Sequence, residues 1–186
     1  MALDPTLVRA YQNGEVSVGA FGATPTLPTD ATTPINASLY TGTGILTDDG
    51  IVESTSQDYT KIYGWQGGQL IANLPGTFDK SFKFAATQQT LTNLGLQMPG
   101  STITQTAYGV SIAEKAPVVD KRVWILHGIA GGILQRIVCP SGQITARGDV
   151  KWSFKDITVY EWTVELFADT SLNYTYRYIV DPTMSL

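Results

Sequence analysis

The chain is short of the residues that most chemistry needs. Its 186 residues include one histidine, His127, and one cysteine, Cys139. A single cysteine permits no intramolecular disulfide, and with a single histidine it completes no zinc set. A Cys–His dyad would need the two side chains to meet in space, and nothing in the sequence brings them together. Charge is scarce as well. Asp, Glu, Lys and Arg make up 15% of the chain, against about 25% in ordinary soluble domains. A surface so thinly charged is poorly protected against association unless an assembly buries part of it, although Ser, Thr, Asn and Gln also solvate surfaces. No stretch approaches the roughly 20 apolar residues of a membrane helix. Met1–Pro5 lacks the basic and apolar regions of a signal peptide. Membrane insertion is therefore not expected.

The charge that is present is uneven. The formal net charge is −4. Residues 1–93 hold four basic and eight acidic residues, whereas residues 94–186 hold eight of each. An acidic chain is a poor candidate for tight binding to a phosphate backbone. The length suits one domain, residues 1–186, able to bury about 70% of its unfolded surface without staples.

Strand signals dominate. Residues 158–166 place Tyr160, Trp162, Val164 and Leu166 on one face, with Glu161, Thr163 and Glu165 on the other. Residues 172–180 alternate in the same way through Leu172, Tyr174, Tyr176, Tyr178 and Val180. Phe78, Phe82 and Phe84 share one strand face. The run 123–129 is apolar on both faces, as expected of a strand covered on both sides. Further strands are expected at 15–21, 37–41, 69–73, 103–113 and 143–148. Gly131-Gly132 reads as a hairpin turn, and Ser141-Gly142 as another. Leu91, Leu94 and Met98 predict one helix between Thr87 and Met98, ended by Pro99-Gly100 and weakened by Gly95. Residues 23–34, rich in Thr and Pro, read as an extended arm. Residues 42–76 hold many glycines and little alternation, and read as a long loop with at most a short hairpin in it. The fold class expected is mainly β: two packed antiparallel sheets in a sandwich or barrel-like arrangement, with one flanking helix and long loops or arms.

Candidate sites can be weighed one at a time. His127 lies in the apolar run, where a core or interface histidine is the plainer reading than a general base. Cys139 reads as a small apolar side chain. Asp48-Asp49-Gly50, with Glu53 and Asp58 following, lacks the ligand spacing of a calcium loop. The Asp-Gly pair instead predicts the positive φ of a tight hairpin turn. Gly42-Thr43-Gly44 and the glycines from 64 to 68 lack the Lys-Ser/Thr of a phosphate loop. Glu161 and Glu165 share a polar strand face, but glycoside chemistry also needs a cleft between them. Trp65 stands out as a large aromatic among glycines, suited to plug a core or to anchor in a partner's pocket. With no catalytic set, no cofactor or metal is expected, and the anchor reading gains weight.

One resemblance ties these pieces together. The residues that carry it are Pro28-Thr29-Asp30, then Leu39-Tyr40, the run Gly44–Ser54, Ile62 and Trp65-Gln66-Gly67-Gly68. Their order and spacing resemble the major tail tube protein of long-tailed (siphovirus-type) bacteriophages of actinobacteria. The match is most specific over residues 14–70. Beyond that it lies in layout, through Phe82-Lys83-Phe84, the helix and the C-terminal hairpins. Two departures are visible: the segment through Gly14 has no counterpart, and Ala85-Ala86-Thr87 stands where an acid would follow the phenylalanine strand.

The resemblance implies a structural virion protein, not an enzyme. It implies hexameric rings that stack into a tail tube, assembled in the host cytoplasm, through which DNA is delivered. Residues 1–14 would be an N-terminal arm. Residues 42–76 would be a long inter-ring loop, with Asp48, Asp49, Glu53, Asp58 and Trp65 as contacts. Glu161, Thr163 and Glu165 would face the lumen. The implied partners are further copies of the chain, a tape-measure protein in the lumen, and tail terminator and tail-tip proteins. DNA would pass transiently without specific binding. The alternative is a β-sandwich module that binds carbohydrate or a receptor through Tyr174, Tyr176 and Tyr178. A hydrolase using Glu161 and Glu165 ranks below both.

Overall fold

The computed structural model describes residues 8–22 and 26–184. Among them run β1 (Asn13–Ala20), β2 (Tyr40–Gly42), β3 (Leu46–Tyr63), β4 (Leu70–Ala86), α1 (Leu91–Gln97), β5 (Thr102–Thr106), β6 (Gly109–Ala113), β7 (Lys121–Ala130), β8 (Ile133–Arg147), β9 (Tyr160–Leu166) and β10 (Tyr176–Val180). The protein is mainly β, with two antiparallel sheets and a single short helix. Seven strands of the large sheet follow the order β2-β1-β7-β8-β9-β4-β3, and β10 pairs with the first part of β8. β5 and β6 form the small sheet. The large sheet does not close into a barrel: its path ends at β2 on one side and at β3 on the other.

The period of two in the sequence decides which face becomes core. Val16 and Val18, Trp124 and Leu126, Ile137 and Cys139, Trp162 and Val164, and Phe82 and Phe84 belong to one cluster. Leu94 and Leu96 of α1 join it, and Ile103 and Ile112 of the small sheet pack against it. Aromatic edges organise its centre. The Phe82 and Trp124 rings meet edge-on at 5.7 Å, and Phe84 lies 5.4 Å from Trp162. Such pairs add about 0.5–1.5 kcal/mol beyond area burial. Both indoles are satisfied, because Trp124 Nε1 donates to the Gly142 carbonyl at 3.2 Å and Trp162 Nε1 donates to Gln97 Oε1 at 2.8 Å.

β7 is covered on both faces, as its apolar run predicts. Val123 and Ile125 form a second cluster with Tyr40, capped by Leu27 and Ile35. The segment around Asp30 is clamped there by Arg136. That buried guanidinium donates through Nη1 to the carbonyls of Asp30 and Thr33, each at 2.8 Å.

Several boundaries differ from expectation for local reasons. The helix starts at Leu91, because Thr87 is held to the Ile45 carbonyl and Thr90 caps the first turn by accepting from Asn93 N. Residues 103–113 are two strands with a turn between them, not one. β10 starts at Tyr176. Before it, the Asp169 carboxylate accepts from the backbone N–H of Ser171 and Asn173, and Leu172 sits at φ 63°. Ser141-Gly142 is not a turn. β8 runs straight through it with a bulge opposite β7, which is how a strand absorbs Pro140. Gly142 is required there, since a Cβ would lie 2.8 Å from Trp124 and 2.9 Å from Val164.

Candidate functional site

The largest departure is the segment read as a long loop. Residues 46–63 and 70–86 pair as one long antiparallel hairpin. Its base joins the large sheet through β9 only between Ser81 and Ala86. Beyond that point the two strands pair with each other alone. The distal part is exposed on both faces, where Tyr59, Ile62, Tyr63, Leu70, Ile71 and Leu74 all lie open. The turn at its tip is closed by Gly64 N donating to the Gln69 carbonyl at 2.8 Å, with Gly67 and Gly68 both at positive φ. Trp65 stands in that turn, 97% exposed. It plugs no core of its own chain.

The acids of the same hairpin fall in different places. Asp48 and Asp49 are exposed near its base, and Gly50 has the positive φ expected, 67°. They do not form a hairpin turn. The register slips between Leu46 and Ile51, so they bulge out of β3. Asp58 lies at a second slip and accepts from Thr77 Oγ1 at 2.9 Å. Glu53 is an internal ion-pair hub. Lys80 Nζ lies 2.7 Å from it, and Arg177 of β10 bonds its other oxygen. Burial tends to raise the Glu53 pKa, but the hydrogen bonds and charges of Lys80 and Arg177 outweigh it and hold the carboxyl below its ordinary value. Glu53 thus ties β3 and β4 to β10.

β9 shows the expected alternation. Tyr160, Trp162, Val164 and Leu166 are buried, and Glu161, Thr163 and Glu165 are half-buried on the opposite face. Glu161 pairs with Lys83 at 3.0 Å, while Glu165 lies opposite Ser81 and Gln143. The two glutamates share a sheet face and not a cleft.

His127 sits in register between Glu15 and Arg136. Burial and Arg136 lower its pKa against the pull of Glu15, so the imidazole is neutral near pH 7. Cys139 is fully buried, and burial pushes its thiol up to about 12. Among the described residues, no three His, Cys, Asp or Glu side chains are grouped to hold a metal ion. Among the same described residues no helix is long and apolar enough to cross a membrane.

Two features escape the sequence reading. The 148–159 connection carries exposed Trp152, Phe154 and Ile157. The signal for it is a short alternation, Val150, Trp152 and Phe154 against Lys151, Ser153 and Lys155, that ends at Asp156. The second is a groove of about 850 Å³ at the base of the hairpin, in the gap where the sheet stays open. Its wall includes Ile45, Ile51, Leu126 and Ile137, and its rim includes Glu15 and Asp48. No sequence signal marks it, because it is made by elements far apart in the chain.

A β body with open sheet edges and a projecting apolar hairpin defines the structural, associating class of protein. The sequence model for the family described as phage tail tube protein matches residues 1–185, and the chain belongs to that family. It is a structural phage tail component, hence a virion protein rather than an enzyme. No curated protein sequence matches the chain. Among solved structures it is similar to the sheath/tube terminator of an extracellular contractile injection system (PVC) in the extended state. That likeness has 14% identity and a TM-score of 0.44, covering 89% of this chain and 93% of that one.

Proposed function

We propose that this chain forms hexameric rings, and that the rings stack into the tail tube of a long-tailed phage of actinobacteria and conduct its DNA into the host. The observation that carries this reading is the projecting hairpin. A two-stranded ribbon with apolar side chains on both faces is unstable alone in water and marks a protein–protein contact. The ring-to-ring contact is assigned to this hairpin, with Trp65 as its anchor. The free edges of β2 and β3 are available to pair with neighbouring copies within a ring, which would remove the hazard of open edges. Tape-measure, terminator and tip proteins would bind the lumen and the two ends. Assembly would take place in the host cytoplasm.

The lumen is assigned to the polar face of β9. Glu161, Thr163 and Glu165 lie there beside Lys83, which pairs with Glu161, so these four residues keep one net negative charge, which discourages adhesion of DNA. Reversing Glu161 and Glu165 to Lys should slow DNA ejection from otherwise intact tails. Ejection at the normal rate would refute the lumen assignment.

Electron microscopy of the purified protein at rising concentration tests the main proposal. Stacked rings are expected. A chain with residues 59–75 replaced by a two-residue turn should give single rings or monomers. Tubes of normal length from that chain would remove the hairpin from the contact. A protein that stays a small oligomer at every concentration and binds a glycan would instead support a binding module.

A further inference from the structure

The groove at the hairpin base and the hairpin tip are complementary, although they belong to opposite ends of one element. We propose that the tip of one copy, led by Trp65, seats in the groove of a second copy. This rests on the ring-to-ring reading above and supplies the receiving surface that reading lacks.

Length argues first. The groove is lined by residues 44–53 at the start of β3, and the tip lies beyond Tyr63 at its far end. At about 3.3 Å per residue the two are roughly 40 Å apart. A paired ribbon cannot bend back over that distance, so a chain cannot fill its own groove. A knob and a hole on one chain make a head-to-tail contact. Such a contact closes into a ring where the rotation between copies closes and builds an open filament where it does not, and along the tube axis it stays open. The reach of the hairpin then sets the axial repeat.

Shape argues second. Gly14 and Gly128 lie in the groove wall, and Tyr11 packs where a Gly128 side chain would stand, with a Cβ there only 3.0 Å from its ring. The volume of about 850 Å³ takes an indole together with flanking aliphatic groups. Charge argues third. Lys61 is the one charged residue between positions 59 and 75, and it has no ion-pair partner among the described residues. Glu15 and Asp48 of the groove likewise have no cation within 4.0 Å among those residues. Seating the hairpin brings the cation to the two carboxylates.

Disulfide trapping tests this in the full chain, because buried Cys139 stays silent. Trp65→Cys combined with Ile45→Cys, an exposed groove position, should give a ladder of linked chains from oxidised tubes. Trp65→Cys combined with Ile157→Cys, outside the groove, should give none. Normal tubes without a ladder from the first pair, or with one from the second pair only, would overturn the groove assignment and leave the ring-to-ring role of the hairpin standing. Charge exchange provides an independent reading if the cysteine pair blocks assembly. Lys61→Glu and Asp48→Lys should each raise the concentration needed for assembly about tenfold, and the double variant should recover most of the loss. Losses that simply add would also overturn the assignment.

Discussion

β3 and β4 form one hairpin whose two halves obey different rules. At the base, Phe82 and Phe84 are buried against Trp124 and Trp162, and β9 pairs alongside. At the far end, Leu70, Leu74, Tyr59 and Tyr63 are equally apolar and yet lie open. The chemistry of the side chains does not separate the halves. What separates them is whether a third strand lies beside them. The base is held by its own chain, whereas the distal half carries an apolar surface that its own chain leaves uncovered.

Substitutions in the two halves should therefore report on different things. The largest loss of folding stability is expected at the base. Phe82→Ala leaves a hole beside Trp124 and Phe84, and should cost about 3–5 kcal/mol by denaturant unfolding. At the tip, Trp65→Ala should weaken assembly by about 2 kcal/mol, seen as a critical concentration raised roughly thirtyfold. A comparable loss of folding stability in that variant would erase the distinction between the halves.

At the junction, Glu53→Gln breaks two ion pairs and should cost about 1–2 kcal/mol. The folded-state pKa of Glu53 is lowered, so its contribution is present above the ordinary value of 4.5 and fades as pH falls below it. His127 adds a gentler slope. Its pKa is also lowered, so the unfolded chain takes up a proton first as pH drops below 6.5, and stability declines there. His127→Gln should flatten thermal stability between pH 7 and pH 5, and a slope unchanged by the substitution would contradict this assignment. The smallest effect expected is Trp65→Ala on the isolated fold, within about 0.5 kcal/mol.

Much of the body was legible in the sequence because burial writes a period of two. β9 reads directly from its alternation, and β7 from its unbroken apolar run. The helix is marked by Leu94, Met98 and Pro99-Gly100. The hairpin was not legible, for a related reason. A ribbon exposed on both faces has no buried side to impose alternation, and its glycines at 64, 67, 68 and 76 with Pro75 resemble a loop. Asp48-Asp49-Gly50 signalled a positive φ correctly, but the same backbone conformation serves a bulge as readily as a turn. The ion pairs of Glu53 were not legible because Lys80 and Arg177 are remote from it in the chain.

The sequence by itself determined the strand-rich class, the core faces of β7 and β9, the absence of a histidine or cysteine set, and membership of the phage tail tube protein family. These are local properties, set by side-chain period and residue type. Only the tertiary structure decided that residues 46–86 form a projecting hairpin, that Trp65 stands clear of the fold, and that a groove opens where β1 and β3 come near each other without pairing. Those depend on which distant strands pair, and no local pattern encodes where a sheet stops.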